Sequence, residues 1–188
     1  MELQQIMKGI DLKTPDELGI SFECDETGTS FQENSLLKAE TLYKLTGTPV
    51  IADDSGLCIE ALDGAPGIYS ARYGSEDTGK ELESPERNRF LLDNLKTFSG
   101  AEKRRAVFVC CMTAIIDDYR IYSIQETMKG IITEEPYGKG GFGYDPVFYL
   151  PEKKMTVAEL PEAEKNRISH RGRAAIKLGR LLEGALDE

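Results

Sequence analysis

Two aspartates, Asp53 and Asp54, stand side by side in the stretch PVIADDSGLCIEAL, where one apolar run stops and another begins. Asp is disfavoured inside strands, and neighbouring carboxylates repel each other. One interpretation is a turn between two short strands, because Asp, Ser and Gly are common turn residues. The other is a site for a divalent cation. This stretch alone favours the turn, so the choice depends on the other motifs.

A further carboxylate, Glu33, follows Ser30 by three positions in SFQENSLLKAETLYKLTG. This spacing predicts a capping box, in which the Glu33 side chain bonds the backbone N–H of Ser30. A carboxylate in the first turn of a helix is also well placed electrostatically, with or without a metal ion. The sequence leaves both uses of Glu33 open.

A glycine-rich loop is predicted in GKGGFGYDPVF, with glycines at positions 138, 140, 141 and 143. Such glycines let the backbone approach a ligand closely, while Phe142 and Tyr144 offer flat faces for stacking. Asp145 precedes Pro146, which favours extended backbone there. The loop therefore has the flat wall and polar groups of a nucleobase pocket, although the aromatic rings could instead fill the core.

A third motif, EKNRISHRGRAAIKL, places Ser169 as a helix cap and His170 and Arg171 in the first turn. A cation at that position opposes the helix dipole, and a local rule broken without evident gain points to function. Backbone N–H groups and cations at a helix start suit an anionic or polar ligand. The alternative is a solvated basic face that continues through Arg173, Lys177 and Arg180.

The elements that must position these residues alternate along the chain. Periodicity and capping residues predict helices in residues 1–8, 30–47, 84–98 and 169–186. Ser84 is the predicted cap of the third helix, with Pro85 at its first position. Short strands are predicted in 49–53 and 57–62, and a long hairpin in 104–117 and 119–132. The alternation predicts an α/β domain with a mixed sheet.

The composition limits the classes of function. A chain of 188 residues with a net charge of −10 suits one domain, and the negative charge argues against gripping polymeric nucleic acid. No apolar run approaches a membrane span and no secretory leader is evident, so we expect a cytoplasmic protein without membrane contacts. Four cysteines without CxxC spacing, beside one histidine, argue against zinc. Cys110 and Cys111 are predicted to be reduced core thiols on opposite strand faces.

Taken together, SFQENSLLKA, IADDSGLCIEALDGAPGIYSARY, GGFGYDPVF and EKNRISHRGRA closely resemble the inosine triphosphate pyrophosphatase family, in the family's order. The resemblance implies that Glu33 and Asp54 bind Mg²⁺, that Asp54 also accepts the proton, and that Asp53 supports the pair. It implies substrate contacts for a larger set of residues, namely Lys38, Ser55, Phe142, Gly143, Tyr144, Asp145, Lys165, His170 and Arg171. The paired aspartates are then expected to end a strand in a metal site.

The resemblance also implies an elongated α/β fold, with a mixed sheet and flanking helices in two lobes around a central nucleotide cleft. Residues 1–188 would form a single pyrophosphatase domain that assembles as a homodimer. The implied reaction hydrolyses the non-standard purine nucleotides dITP, ITP and XTP to the nucleoside monophosphate and pyrophosphate. A purine 6-oxygen would accept hydrogen bonds that the amino group of adenine cannot accept.

The sequence departs from the family pattern at its start. Family members begin with a strand and a phosphate-binding turn, whereas this sequence starts at MELQQIM, inside the helix that follows. Either Met1 is a misassigned start, or phosphate affinity is reduced. The second case motivates an alternative, a non-catalytic nucleotide-binding or dimer-partner protein. A pyrophosphatase for modified pyrimidines is a third hypothesis, against which GGFGYDPVF and SHRGRA count.

Overall fold

The structure is a computed structural model that describes residues 2–185. Its helices are α1 (Glu2–Ile6), α2 (Phe31–Thr46), α3 (Ser75–Thr78), α4 (Ser84–Asn94), α5 (Glu162–Ile168) and α6 (His170–Ala185). Its strands are β1 (Val50–Ile59), β2 (Arg105–Asp117), β3 (Arg120–Ile132), β4 (Phe148–Leu150) and β5 (Met155–Thr156). Over residues 2–185, no helix has the length and apolar character needed to span a membrane. Met1, which begins the first predicted helix, lies outside the described residues.

The five strands form one sheet in the order β1-β2-β3-β4-β5. β2 and β3 form the predicted hairpin, whose turn is held by backbone N–H bonds from Tyr119 and Arg120 to the Asp117 carboxylate, at 3.0 and 2.9 Å. The β3–β4 and β4–β5 pairs are antiparallel, with Ile132 opposite Phe148 and Leu150 opposite Met155. The predicted α/β class is confirmed, but the predicted mixed sheet was wrong, because the five strands form an antiparallel sheet.

The chain folds into two compact units. The first unit contains Met1–Ser55, Cys110–Glu126 and Asn166–Glu188, and the second contains Gly56–Val109 and Thr127–Lys165. Each of β1, β2 and β3 therefore contributes residues to both units. The prediction of a single functional domain over residues 1–188 stays a prediction.

In the first unit, helices cover both faces of the sheet. Side chains alternate between faces along a strand. Val50 and Ile115 pack with Ala39 of α2 on one face, which we call the α2 face. On the other, the α6 face, α1 and α6 pack against β2 in a cluster that includes Met7, Cys110, Met112, Ala114, Ile116, Ala174, Ala175, Leu178 and Leu182. As predicted, Cys110 and Cys111 are buried free thiols.

The capping residues set the helix boundaries largely as predicted. The Ser30 hydroxyl accepts a bond from the Glu33 backbone N–H at 3.2 Å, and Gly47 ends α2 in the left-handed conformation. Ser169 caps α6 in the same way, since its hydroxyl accepts from the Gly172 backbone N–H at 2.9 Å. The predicted cap of α4 was wrong by one residue, because Ser84 is already helical and Glu83 precedes the helix.

Candidate active site

The acidic pair lies inside a strand. β1 runs without interruption from Val50 to Ile59, so the predicted turn at Asp53 and Asp54, and the expectation that the pair ends a strand, were both wrong. Strand geometry removes the repulsion that suggested a turn, because adjacent side chains point to opposite faces. Asp54 lies on the α2 face and Asp53 on the α6 face, as their partners show below. The two aspartates of the motif therefore lie in two separate sites of the first unit.

On the α2 face, Asp54 is nearly buried, with 5% of its surface exposed. Its Oδ1 accepts a hydrogen bond from Lys38 Nζ at 2.9 Å, and its Oδ2 accepts one from Asn34 Nδ2 at 3.3 Å. Lys38 Nζ also lies 2.7 Å from Oε1 of Glu26. One ammonium group is thus shared by two carboxylates, which leaves this cluster of Glu26, Lys38 and Asp54 with excess negative charge.

The environment shifts the pKa values within this cluster. Burial raises the pKa of Asp54, and the hydrogen bond and charge of Lys38 oppose that shift without cancelling it. Burial alone would lower the pKa of Lys38, but its bonds to Glu26 and Asp54 outweigh that effect and raise it. A carboxylate with a raised pKa is better suited to accept a proton in a reaction.

Glu33 has different partners. Its Oε2 accepts hydrogen bonds from the backbone N–H and the hydroxyl of Thr29, at 2.6 and 2.8 Å. The strongest bonds of Glu33 therefore go to Thr29, and the predicted partner, the backbone N–H of Ser30, makes a weaker contribution. The bonds to Thr29, and to a lesser extent that to Ser30, hold the pKa of Glu33 below its usual value. The carboxylate that shares a cation with Asp54 is that of Glu26, which the sequence did not single out.

Asn34 is a second residue that sequence analysis missed. It is fully buried, and its Oδ1 accepts a bond from the Gly28 backbone N–H at 2.9 Å while its amide donates to Asp54. A Cβ on Gly28 would lie 2.6 Å from Asn34 Oδ1, so only glycine fits there. The available signal was the position of Asn34 next to Glu33, in the first turn of a capped helix.

On the α6 face, Asp53 brings together two predicted substrate contacts. Its Oδ2 accepts bonds from the Ser55 hydroxyl at 2.9 Å and from Arg171 Nε and Nη2 at 3.1 and 2.8 Å. His170 is the first residue of α6, as predicted, and is half-buried. The basic residues that follow are not simply solvated, because Arg173 pairs with Glu126 at 3.3 Å.

In the second unit, the glycine-rich loop holds another acid–lysine pair. Asp145 is 4% exposed, and its Oδ2 accepts bonds from Lys165 Nζ at 2.6 Å and the Phe142 backbone N–H at 2.9 Å. The Lys165 ammonium lies 4.4 Å from the centre of the Phe142 ring. Asp145 begins a 3-10 turn, so the extended backbone expected before Pro146 was wrong. Lys165, Asp145 and Phe142 therefore form one cluster.

The two aromatic residues of the loop are placed differently. Phe142 is 58% exposed, whereas Tyr144 is buried and donates a hydrogen bond from its hydroxyl to the Ser70 carbonyl at 2.8 Å. Burial raises the pKa of Tyr144. The stacking interpretation fits Phe142, and the core-filling alternative fits Tyr144. Phe142 and Gly143 line a cavity of about 580 Å³ together with α4, and Asn88 of α4 donates to the Gly143 carbonyl at 3.1 Å.

Over residues 2–185, no group of three or more His, Cys, Asp or Glu side chains is arranged to hold a metal ion. Mg²⁺ commonly takes only one or two protein carboxylates, together with substrate phosphates and water. Glu26 and Asp54 offer such hard oxygen donors, and they already share a cation in Lys38. This donor set fits a magnesium ion that arrives with a phosphate ligand.

Comparisons with known proteins agree with the motifs. A dITP/XTP pyrophosphatase of Treponema denticola is 46% identical over 184 residues, which cover 98% of this chain and 93% of that protein. The Bacillus subtilis dITP/XTP pyrophosphatase is 42% identical, covering 97% and 90%. The solved HAM1 protein of Coxiella burnetii superimposes with a TM-score of 0.86 at 38% identity, covering 97% of this chain and 92% of its own. The sequence model of the Ham1 family matches residues 1–181, and the predicted resemblance is confirmed: this chain belongs to the Ham1 family.

Proposed function

We propose that this protein hydrolyses dITP, ITP and XTP to the nucleoside monophosphate and pyrophosphate, and so removes them from the nucleotide pool. The observation that carries the proposal is the similarity to dITP/XTP pyrophosphatases at 42 to 46% identity over nearly the whole chain. The partly buried cluster of Glu26, Lys38 and Asp54 supports it, since charge neutralisation and proton transfer are what this hydrolysis requires.

We assign Asp54 to two roles, proton acceptor and metal ligand. Its raised pKa suits the proton acceptor, and its place opposite Glu26 across a shared cation suits the metal ligand. Bound Mg²⁺ would neutralise phosphate charge and polarise the phosphoryl group. Glu26 and Glu33 are the two candidates for a second carboxylate, and the shared ammonium supports Glu26 over the earlier candidate Glu33.

Lys38 supplies positive charge to the same cluster. Its ammonium sits between two carboxylates, at 2.7 Å from Glu26 and 2.9 Å from Asp54. We propose that Lys38 pairs with a substrate phosphate when the carboxylates receive another cation. This exchange would keep every charge in the partly buried site compensated, which matters because an isolated buried charge is costly.

For substrate choice, we propose that groups donating hydrogen bonds to the purine 6-oxygen reject adenine. Candidate donors are His170, Arg171 and backbone N–H groups of the glycine-rich loop. Each buried donor left unpaired by adenine would cost about 1–3 kcal/mol. Phe142 supplies an exposed ring for stacking, and the pair of Asp145 and Lys165 supplies polar groups beside it. Ser55, Gly143 and Tyr144 remain proposed members of the substrate site. The homodimer and the cytoplasmic location also stay predictions.

The test is pyrophosphate release by the purified chain with dITP and, in parallel, dATP. We expect Mg²⁺-dependent release from dITP that EDTA abolishes and added Mg²⁺ restores, with at least about a hundredfold preference over dATP. Release of orthophosphate alone would contradict the proposal. Binding of dITP without turnover would instead support the non-catalytic alternative, and preference for a modified pyrimidine triphosphate would support the third hypothesis.

A further inference from the structure

The side chains of the two neighbouring aspartates have separate partners because they lie on opposite faces of the sheet, although Lys38 Nζ also reaches the backbone carbonyl of Asp53 at 3.3 Å. Asp54 contacts α2 through Lys38, whereas Asp53 contacts α6 through Arg171. Their neighbours follow the same alternation, since Ile51 packs with the α6 cluster. The Asp53 side chain therefore does not contact Asp54, and the support for the pair of Glu33 and Asp54 that the family resemblance implied stays a prediction.

Within residues 2–185, the hydrogen bonds to the Asp53 side chain converge on one oxygen, Oδ2, which the Cys110 thiol also faces at 4.0 Å. Oδ2 accepts from Ser55 Oγ at 2.9 Å, Arg171 Nε at 3.1 Å and Arg171 Nη2 at 2.8 Å. Both side chains are largely withdrawn from solvent, with 18% of Asp53 and 27% of Arg171 exposed. A contact through two guanidinium nitrogens fixes the plane of that group as well as its distance, which a single bond would not do.

The backbone beneath Arg171 is also fixed, so the remaining freedom is that of its side chain. Ser169 caps the helix through the Gly172 N–H, and a Cβ on Gly172 would overlap the Asn166 carbonyl oxygen. A long arginine side chain has many rotamers, and at a helix start its positive charge interacts unfavourably with the helix dipole. The Asp53 carboxylate selects among those rotamers, and its negative charge offsets the unfavourable interaction of Arg171 with the helix dipole.

We propose that Asp53 is a positioning residue that acts on the substrate through Arg171, and takes no part in the metal and proton chemistry of Asp54. The inference rests on the proposed function in one respect, that Arg171 contacts the nucleotide. In this arrangement Ser55 completes the orientation of the carboxylate, because its hydroxyl donates to the oxygen that holds Arg171.

The experiment measures kcat and KM for dITP in wild type, Asp53→Asn, Arg171→Ala and the double variant. We expect Asp53→Asn to raise KM about tenfold with kcat changed by less than about threefold, as loss of a charged hydrogen bond to a binding group would do. Adding Asp53→Asn to Arg171→Ala should raise KM no further. A fall in kcat with KM unchanged, or effects that multiply, would overturn the inference.

A matched control separates positioning from general support of α6. Glu126 of β3 pairs with Arg173 and Lys177 of the same helix, so Glu126→Gln also removes a carboxylate that forms ion pairs with α6. We expect KM in this variant to stay within about twofold of wild type. A KM increase equal to that of Asp53→Asn would show that any lost ion pair has the same effect, which would contradict a positioning role.

The contact between Asp53 and Arg171 can also be tested with the variant Arg171→Lys and with the NMR signal of the Arg171 side chain. Arg171→Lys keeps the charge but cannot bond Asp53 through two nitrogens, so it should raise KM like Asp53→Asn. The Arg171 Nε–H signal in nitrogen-edited NMR should shift in Asp53→Asn; an unchanged signal would contradict the inference.

If wild type releases no pyrophosphate, the proposed function fails, but the affinity for dITP measured by calorimetry still tests the role of Asp53. A tenfold weaker Kd in Asp53→Asn would support the inference, and an equal Kd or no dITP binding would overturn it.

Discussion

The two faces of the sheet in the first unit each present one aspartate, and the faces are built differently. On the α6 face, Asp53 meets one guanidinium group, and the two charges cancel. On the α2 face, Asp54 and Glu26 share one ammonium, so these three groups together carry a net negative charge. The difference teaches that side-chain alternation can place the two residues of one motif in two sites of different net charge.

The largest expected effect is on the α2 face. Asp54→Asn keeps the shape of the side chain but cannot accept a proton as readily, and it loses a charged metal ligand. We expect the rate of pyrophosphate release from dITP to fall by at least about a hundredfold, the usual contribution of a general base. Asp53→Asn, measured in the same assay, should retain most of kcat. Equal kcat losses in the two variants would remove the distinction between the faces.

Next in size is a stability effect at the start of α6. A Cβ at Gly172 would overlap the backbone carbonyl of Asn166, which cannot move aside cheaply. We expect Gly172→Ala to lower the free energy of unfolding by about 2 kcal/mol, measured by urea denaturation. Gly184→Ala in the same helix meets nothing within 4 Å and should gain about 0.5–1 kcal/mol from helix propensity. Equal changes would show that the site below Arg171 is not tightly packed.

The partner carboxylate of Asp54 can be identified by comparing Glu26→Gln with Glu33→Gln. We expect Glu26→Gln to raise the Mg²⁺ concentration for half-maximal rate about tenfold, because a charged oxygen donor beside Asp54 is lost. Glu33→Gln should change that concentration by less than about threefold, since Glu33 bonds Thr29. The reverse ranking would restore Glu33 as the metal ligand and leave Glu26 as a partner of Lys38 alone.

The smallest expected effect concerns Cys110, on the same face as Asp53. Burial raises the pKa of its thiol to about 12 from the usual 9.0, and the Asp53 charge adds to that shift. Above pH 9 the unfolded chain loses this proton while the folded protein keeps it. The group's contribution to stability is therefore complete below pH 9 and is lost as the pH rises towards 12.

We expect the free energy of unfolding of wild type to fall by about 1 kcal/mol more than that of Cys110→Ala between pH 8 and pH 10. Urea denaturation at the two pH values measures the difference, and Cys24→Ala serves as the control. Parallel pH dependence in wild type and Cys110→Ala would show that the thiol is not held in its protonated form.

Sequence reasoning predicted the elements that carry local signals. Ser30, Gly47 and Ser169 marked helix ends because capping depends on residues within one turn. The β2–β3 hairpin followed from long β-rich runs around a polar turn. Four separated motifs were enough to identify the family, although they did not show which residues touch.

What failed was decided by partners far away in the chain. Local propensity argued for a turn at Asp53 and Asp54, but Lys38 and Arg171 compensate the charges and let β1 continue. The same limit hid Glu26, whose importance depends on a shared ammonium 12 residues later in the chain. Tyr144 and Phe142 look alike in sequence, and only packing distinguishes the buried ring from the exposed one.

The uninterrupted course of β1 also makes the length of this strand a constraint in its own right. Deleting one residue between Val50 and Asp53 would turn Asp53 towards α2 and Asp54 towards α6. The α6 face would then carry Asp54 at the place that Asp53 had occupied, while the carboxylate on the α2 face would lie two residues, about 6.6 Å, nearer the start of β1. In this segment, substitutions should therefore be tolerated better than insertions or deletions.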